Sequence, residues 1–324
     1  MSFLLLGLAV VFAVHLLVAT TLSIAIAAAL SRIEPALARL EPRRRASQLF
    51  GLSLLPAAGG LGAALGLALP AWLRHEPRET GEAAGHALLL LALAGALLVS
   101  VRLASTFRDH WRTSRLVRRW TTDGRGLAGF PFEATVFRHE LPVAALAGIL
   151  RPRLLFSNTV LRELTPAELE AVVEHERAHA TVHENLRRLL LRASPDPLAL
   201  LPAGRHLRTA FEDAAEAAAD QAACARVSPL VLAGALLKVA SLVPSGRRLD
   251  LAAASLHREV GLAARVRALV AAHDARHRRM LVPSTFASRS LRSGMILTLG
   301  ALVALAAGAL PLVHALLEAL VHLP

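Results

Sequence analysis

Four long apolar runs dominate the pattern along the chain: Phe3–Leu30, Leu49–Leu73, Ala83–Val101 and Met295–Leu317. None contains Asp, Glu, Lys or Arg. A bilayer core of about 30 Å needs roughly 20 apolar residues in a helix, so each run predicts a transmembrane helix. The first lacks a basic start and is too long for the core of a signal peptide, which reads as a retained anchor. Gly59, Gly60, Gly62 and Gly66 in the second run either suit close helix packing or follow from an Ala/Gly-rich composition. A fifth apolar stretch, Pro229–Val243, has 15 residues and includes Lys238. That length predicts a buried core helix rather than a span.

Between the third and fourth runs the pattern changes. Gly124, Gly126, Gly129 and Pro131 mark a turn-rich loop. Short strands are predicted at Ala134–Phe137, Val143–Ala147 and Leu154–Phe156, bounded by Pro142, Gly148 and Pro152. Ser157 or Asn158 can cap a short helix ending near Leu164. Thr165-Pro166-Ala167-Glu168 forms a capping box with proline at the first helical position. The helix it opens is predicted to reach about Arg192, and the next to span Leu207–Arg226. The expected organisation is a mainly α membrane protein with an α+β block inserted between spans three and four. Its parts are a three-helix membrane region (1–101), the block itself (102–293) and a fourth span with a short tail (294–324).

Composition agrees with a membrane protein. Hydrophobic residues make up 55%, charged residues 19%, and the mean hydropathy is +0.50, whereas soluble domains run near 45–50% and about 25%. Such apolar content excludes disorder. The single cysteine, Cys224, excludes a disulfide framework. The net charge of +12 rests almost wholly on arginine, Lys238 being the one lysine. No nucleic-acid-binding motif accompanies it, and the arginines follow membrane topology instead. Arg32, Arg39, Arg43, Arg44 and Arg45 follow the first run, and Arg102, Arg108, Arg112, Arg115, Arg118 and Arg119 follow the third. The loop between the second and third runs holds only Arg74 and Arg78, and no Lys or Arg follows the fourth. Positive-inside bias then puts both termini outside and the block in the cytoplasm. Arg108–Arg119, with Trp111 within it, is expected along the inner leaflet.

The candidate chemistry lies on the capped helix, where His175-Glu176-Arg177-Ala178-His179 spells H-E-x-x-H. Histidines four apart share a helix face and can meet one zinc ion, with Glu176 as base. Random placement of the chain's 14 histidines and its glutamates gives about 0.03 such matches. His273 and His277 are also four apart but lack the glutamate, and they read as a solvated face. His175 and His183 are eight residues apart, about 12 Å along a straight helix, so His183 is expected near the site or at the surface. A catalytic zinc takes three protein ligands and keeps one open position. The downstream helix offers Glu212, Glu216 and Asp220 on one face. Glu216 is the expected third ligand, and Asp220 the acceptor that fixes a histidine tautomer. The chain has no tyrosine, so His206 or Arg205 is the candidate donor to the reaction's oxyanion.

These features together resemble the membrane-bound zinc metallopeptidases of the BlaR/MecR sensor-transducer type. The resemblance is carried by Arg151–Ser157, Leu164–Glu174, His175–His179, Glu184-Asn185-Leu186, Glu216–Asp220 and Arg265–Leu269. Three spans before the block and one after also match. It implies a zincin-like domain with one Zn2+ on His175, His179 and Glu216, Glu176 as base, and cleavage of a cytoplasmic repressor. The chain ends at Pro324, leaving no room for the extracellular penicillin-binding domain of that type, so direct antibiotic sensing is not expected. Competing readings are an HtpX-like quality-control protease, which usually has two spans on each side of the block, and a non-catalytic zinc-binding membrane protein. Expected partners are a protein substrate and the bilayer, with a homo-oligomer left open. A reporter fused after Pro324 is expected to read the outside of the membrane; a cytoplasmic reading removes the preference for the first type.

Overall fold

The structure is a computed structural model that describes residues 2–76, 85–130, 132–242, 261–279, 315 and 319. The fourth apolar run, with His314, lies outside the described residues except for Ala315, as do Arg78, Arg289 and Arg292. The three other runs are all helical and longer than expected. Helix α1 covers Phe3–Ala38. Helix α2 (Pro42–Ala63) continues through a π-helical stretch, Ala64–Ala68, into α3 (Leu69–His75). Helix α4 covers His86–Thr122. All three are long and apolar enough to cross a membrane.

Glycine lets these helices meet closely at several points, among them Gly60 and Gly95. A Cβ on Gly60 would lie 2.7 Å from the His15 ring and carbonyl, and one on Gly95 would lie 2.5 Å from the Phe12 carbonyl. Gly62 and Gly66 have nothing within 4 Å, so the packing explanation holds for part of the glycine set only.

At 37 residues α4 is about 55 Å long, nearly twice a bilayer core. Arg108–Arg119 belongs to this same helix and continues its apolar part without a break. The expected boundary between 101 and 102 falls inside α4 without a break. Trp120, near its end, stacks on Phe137 with ring centroids 4.5 Å apart.

That contact seats α4 on a four-stranded sheet in the order β1-β2-β4-β3. The strands are β1 (Arg125–Leu127), β2 (Ala134–Phe137), β3 (Ala144–Ala147) and β4 (Arg153–Ser157). Three were legible in the pattern. The fourth, β1, replaces part of the predicted loop, because its three residues are ordered by antiparallel pairing with β2. β2 and β4 run parallel; β3 is antiparallel to β4 and forms an edge. One face of the sheet packs Phe137, Val143 and Leu155 against Val117 and Trp120 of α4. The other buries Leu146, Leu154 and Phe156 against α6 (Pro166–Thr181) and α9 (Pro229–Ser241). The 229–243 stretch is thus a core helix, as its length predicted. A short α5 (Asn158–Glu163), capped by Ser157, links the sheet to α6.

The predicted long helix to Arg192 is two helices. α6 stops at Thr181, His183 takes a left-handed conformation (φ 51°), and α7 runs Glu184–Ala193. After a 3-10 turn at Pro197–Leu200 comes α8, Pro202–Ala223. It starts five residues earlier than predicted, with Pro202 at its first position, where a missing N–H costs nothing. α10 (Leu262–Arg279) closes the described block.

α8 packs against the membrane helices through Leu207, Phe211, Ala214 and Ala215, which meet Ile26, Leu30, Ala46 and Leu49. The loop between α7 and α8 is tied to the same helices: His15 Nε2 donates to the Pro195 carbonyl at 2.7 Å, and Arg102 Nε to that of Ser194 at 3.0 Å.

The capping box forms as read. Thr165 N donates to Glu168 Oε2 at 2.8 Å, Glu168 N to Thr165 Oγ1 at 3.3 Å, and Lys238 Nζ from α9 to Glu168 Oε2 at 2.7 Å. Burial favours the neutral Glu168 acid, but the Lys238 and Thr165 bonds outweigh it and hold its pKa below the ordinary 4.5. This stability is present above the ordinary carboxylate pKa and is lost as pH falls through the lowered folded value. Thr165→Ala is expected to cost about 1 kcal/mol, read as a lower unfolding midpoint at neutral pH.

Candidate metal centre

Helix α6 carries His175, Glu176 and His179 on its buried side, at 0%, 1% and 5% exposure. The two imidazoles turn their Nε2 atoms toward each other, 3.1 Å apart. Glu216 reaches in from α8, its Oε2 lying 3.4 Å from His175 Nε2 and 3.8 Å from His179 Nε2. These three atoms converge within 4.8 Å of one another. Glu216 Oε2 is buried and accepts no hydrogen bond.

The opposite ring nitrogens are held by carboxylates. His175 Nδ1 lies 3.0 Å from Asp220 Oδ1, and His179 Nδ1 donates to Glu184 Oε2. Each contact favours the proton on Nδ1 and leaves the Nε2 lone pair for an ion. Two arginines brace the carboxylates. Arg188 Nη2 lies 2.5 Å from Glu184 and 3.1 Å from Glu216. Arg265, from α10, donates twice to Asp220 at 2.8 Å and meets Glu216 Oε2 at 3.2 Å.

The electrostatics follow from this packing. Burial disfavours charge on all three carboxyls, yet their partners win. Asp220 is lowered to about 2 by Arg265 and then His175. Glu216 is lowered well below its ordinary value by His179, His175 and Arg265, and Glu184 is lowered by His179 and Arg188. Three carboxylates against two guanidiniums leave one surplus negative charge, and Glu176 is a fourth buried carboxyl group beside them. Without an ion, the His179 imidazolium supplies the counter-charge: burial opposes it, but Glu184 and Glu216 outweigh burial and raise its pKa to about 10.

The donor set fits a catalytic zinc. Two imidazoles and one carboxylate leave a fourth position open, and a cation there offsets the surplus negative charge.

Glu212 does not reach the cluster, and the exposed His183 serves as the hinge between α6 and α7. His206 and Arg205 are not brought to it either. They lie ten and eleven residues before Glu216, about 15 Å along the axis. His206 Nε2 pairs with Glu34 at 2.8 Å, and Arg205 donates to the Leu200 carbonyl. Glu184, Arg188 and Arg265 are the residues that local pattern reading missed. Glu184 and Arg265 stand in segments that carried the resemblance, but no local spacing assigns them a task.

Such a centre is the kind found in metallopeptidases. Residues 109–288 match the model of Peptidase family M48. That is more than half of the chain, and the protein belongs to this family of zinc metallopeptidases. No curated protein matches the chain.

Glu216→Ala is expected to lower zinc retention in the purified protein more than Glu212→Ala does, by metal analysis after dialysis. The reverse order reassigns the third ligand.

Proposed function

We propose that the protein is an integral-membrane zinc endopeptidase whose ligands are His175, His179 and Glu216 and whose general base is Glu176. One observation carries this reading. Beside the ligand set, Glu176 Oε2 accepts a hydrogen bond from Leu146 N at 3.0 Å. The base thus sits between the ion-binding atoms and the edge strand β3. A substrate backbone laid along that edge would bring its scissile carbonyl to both.

Zinc held there by His175, His179 and Glu216 would lower the pKa of the attacking water and polarise the carbonyl. Glu176 takes the proton released in the attack and passes it to the leaving amine. Asp220 and Glu184 keep the two imidazoles oriented through both steps. Arg188 and Arg265 keep the surrounding carboxylates ionised and in place.

We further propose a cytoplasmic site and a signalling role, cleavage of a transcriptional repressor or similar regulator. The arginine distribution supports the side of the membrane. Three long apolar helices ahead of the site support the signalling type. The family match supports equally a membrane quality-control protease of the HtpX type.

Glu176→Gln is expected to keep about one zinc per chain and to lose peptide cleavage by at least about a hundredfold, the usual scale for a general base. Equal cleavage by the variant and the natural protein refutes the assignment of the base.

A further inference from the structure

β3 is an edge strand, and side chains already satisfy the outward main-chain groups of Leu146 and the carbonyl of Gly148 just beyond it. Leu146 N donates to Glu176, while Asn185 Nδ2 donates to the carbonyls of Leu146 at 3.0 Å and Gly148 at 2.9 Å. One amide group thus covers two acceptors that a paired strand would otherwise use. Asn185 stands in the first turn of α7, next to Glu184, the partner of His179.

A cavity of about 570 Å³ opens along the same edge, walled by β3, α7 and the far end of α4. The charge of its walls is one-sided. Arg118, Arg188, Arg192 and His110 line it, and no Asp or Glu is among the lining residues. Arg188 is committed to Glu184 and Glu216. Arg118 and Arg192 form no ion pair with a described carboxylate. Arg192 is half-buried, and burial, with Arg188 and Arg208 nearby, holds its pKa below the usual guanidinium value although Asp109 and Glu212 act the other way. A guanidinium crowded by its own kind is stabilised by an anionic guest.

We propose that this cleft is the substrate groove and that it selects extended peptide segments bearing acidic side chains, with Arg118 and Arg192 as the specificity-determining residues. The proposal deepens the peptidase reading and rests on it. The peptide pairs with β3, and its N–H groups replace the Asn185 amide on the Leu146 and Gly148 carbonyls. Arg192 lies seven residues beyond Asn185, about 10 Å along α7, which three extended residues span. An Asp or Glu about three residues from the scissile bond therefore reaches it.

The test uses the zinc-loaded, full-length Glu176→Gln protein in zwitterionic nanodiscs and two fluorescein-labelled decapeptides. One carries Asp or Glu three residues to either side of the central bond, and the other the matching amides. The acidic peptide is expected to bind about fivefold tighter, with the advantage shrinking as salt rises. Arg118→Glu and Arg192→Gln are each expected to reduce that preference while leaving zinc content unchanged. Equal binding of both peptides, or a preference that survives both substitutions, overturns the proposal. Loss of the preference only when anionic lipid is added overturns it too, since the arginines then serve the membrane. Cleavage by the natural protein is read separately: failure to cut either peptide counts against the peptidase reading, while the binding preference alone decides the groove.

Discussion

Glu184, Glu216 and Asp220 lie close together in a region nearly closed to water, where like charges repel strongly. Each is kept ionised by a neighbour of opposite charge, and the neighbours come from three helices, His175 and His179 from α6, Arg188 from α7 and Arg265 from α10, around a carboxylate pair on a fourth, α8. None of these side chains can be neutralised or removed without leaving another buried charge uncompensated. The two Nε2 atoms and Glu216 Oε2 are where this arrangement could meet a cation. A proton on His179 partly fills that need, and a divalent ion fills it more fully, so ion binding and the packing of four helices are one equilibrium.

The backbone makes concessions to that arrangement. In an unbroken helix Glu184, five residues after His179, would be turned about 140° away from it. The left-handed His183 breaks the helix and aims Glu184 back at the imidazole. The capping box fixes where α6 begins, and Lys238 ties that start to α9. Both ends of the H-E-x-x-H helix are therefore set by side-chain contacts rather than by helix propensity alone.

How much of this was legible in the sequence depended on range. The convergence of His175 and His179 beside Glu176 could be read because i, i+4 spacing is a local property of a helix. Glu216 and Asp220 could be read as a facing pair because they share a face of α8. The capping box, three of the strands and the core helix at Pro229 announced themselves in a few residues each. The break at His183 could not be read, because its cause is a contact formed only after folding. β1 was hidden for a similar reason: Gly126 gives it no strand propensity, and β2 orders it. Arg265 stands 45 residues beyond Asp220, and no periodicity joins them. His206 and Arg205 looked plausible as donors because they precede the stretch carrying Glu216 and Asp220, yet α8 starts earlier than expected and places His206 by Glu34 on α1 and Arg205 by the Leu200 carbonyl.

That last displacement bears on how the membrane part and the site are joined. Leu207, Phe211, Ala214 and Ala215 occupy the face of α8 that meets α1 and α2, while Glu216 and Asp220 occupy the face that meets α6. A soluble fragment beginning near residue 102 would expose the first face to water, at about 25 cal/mol per Å² of apolar surface. It would also free the α7–α8 loop from His15. The helix that carries the proposed third ligand is thus held from two sides, by its contacts with the α6 histidines and by the apolar helices α1 and α2. A shift of α1 and α2 relative to the sheet would move Glu216 relative to the two imidazoles. The membrane helices are accordingly part of the core that positions the site, and not merely its anchor.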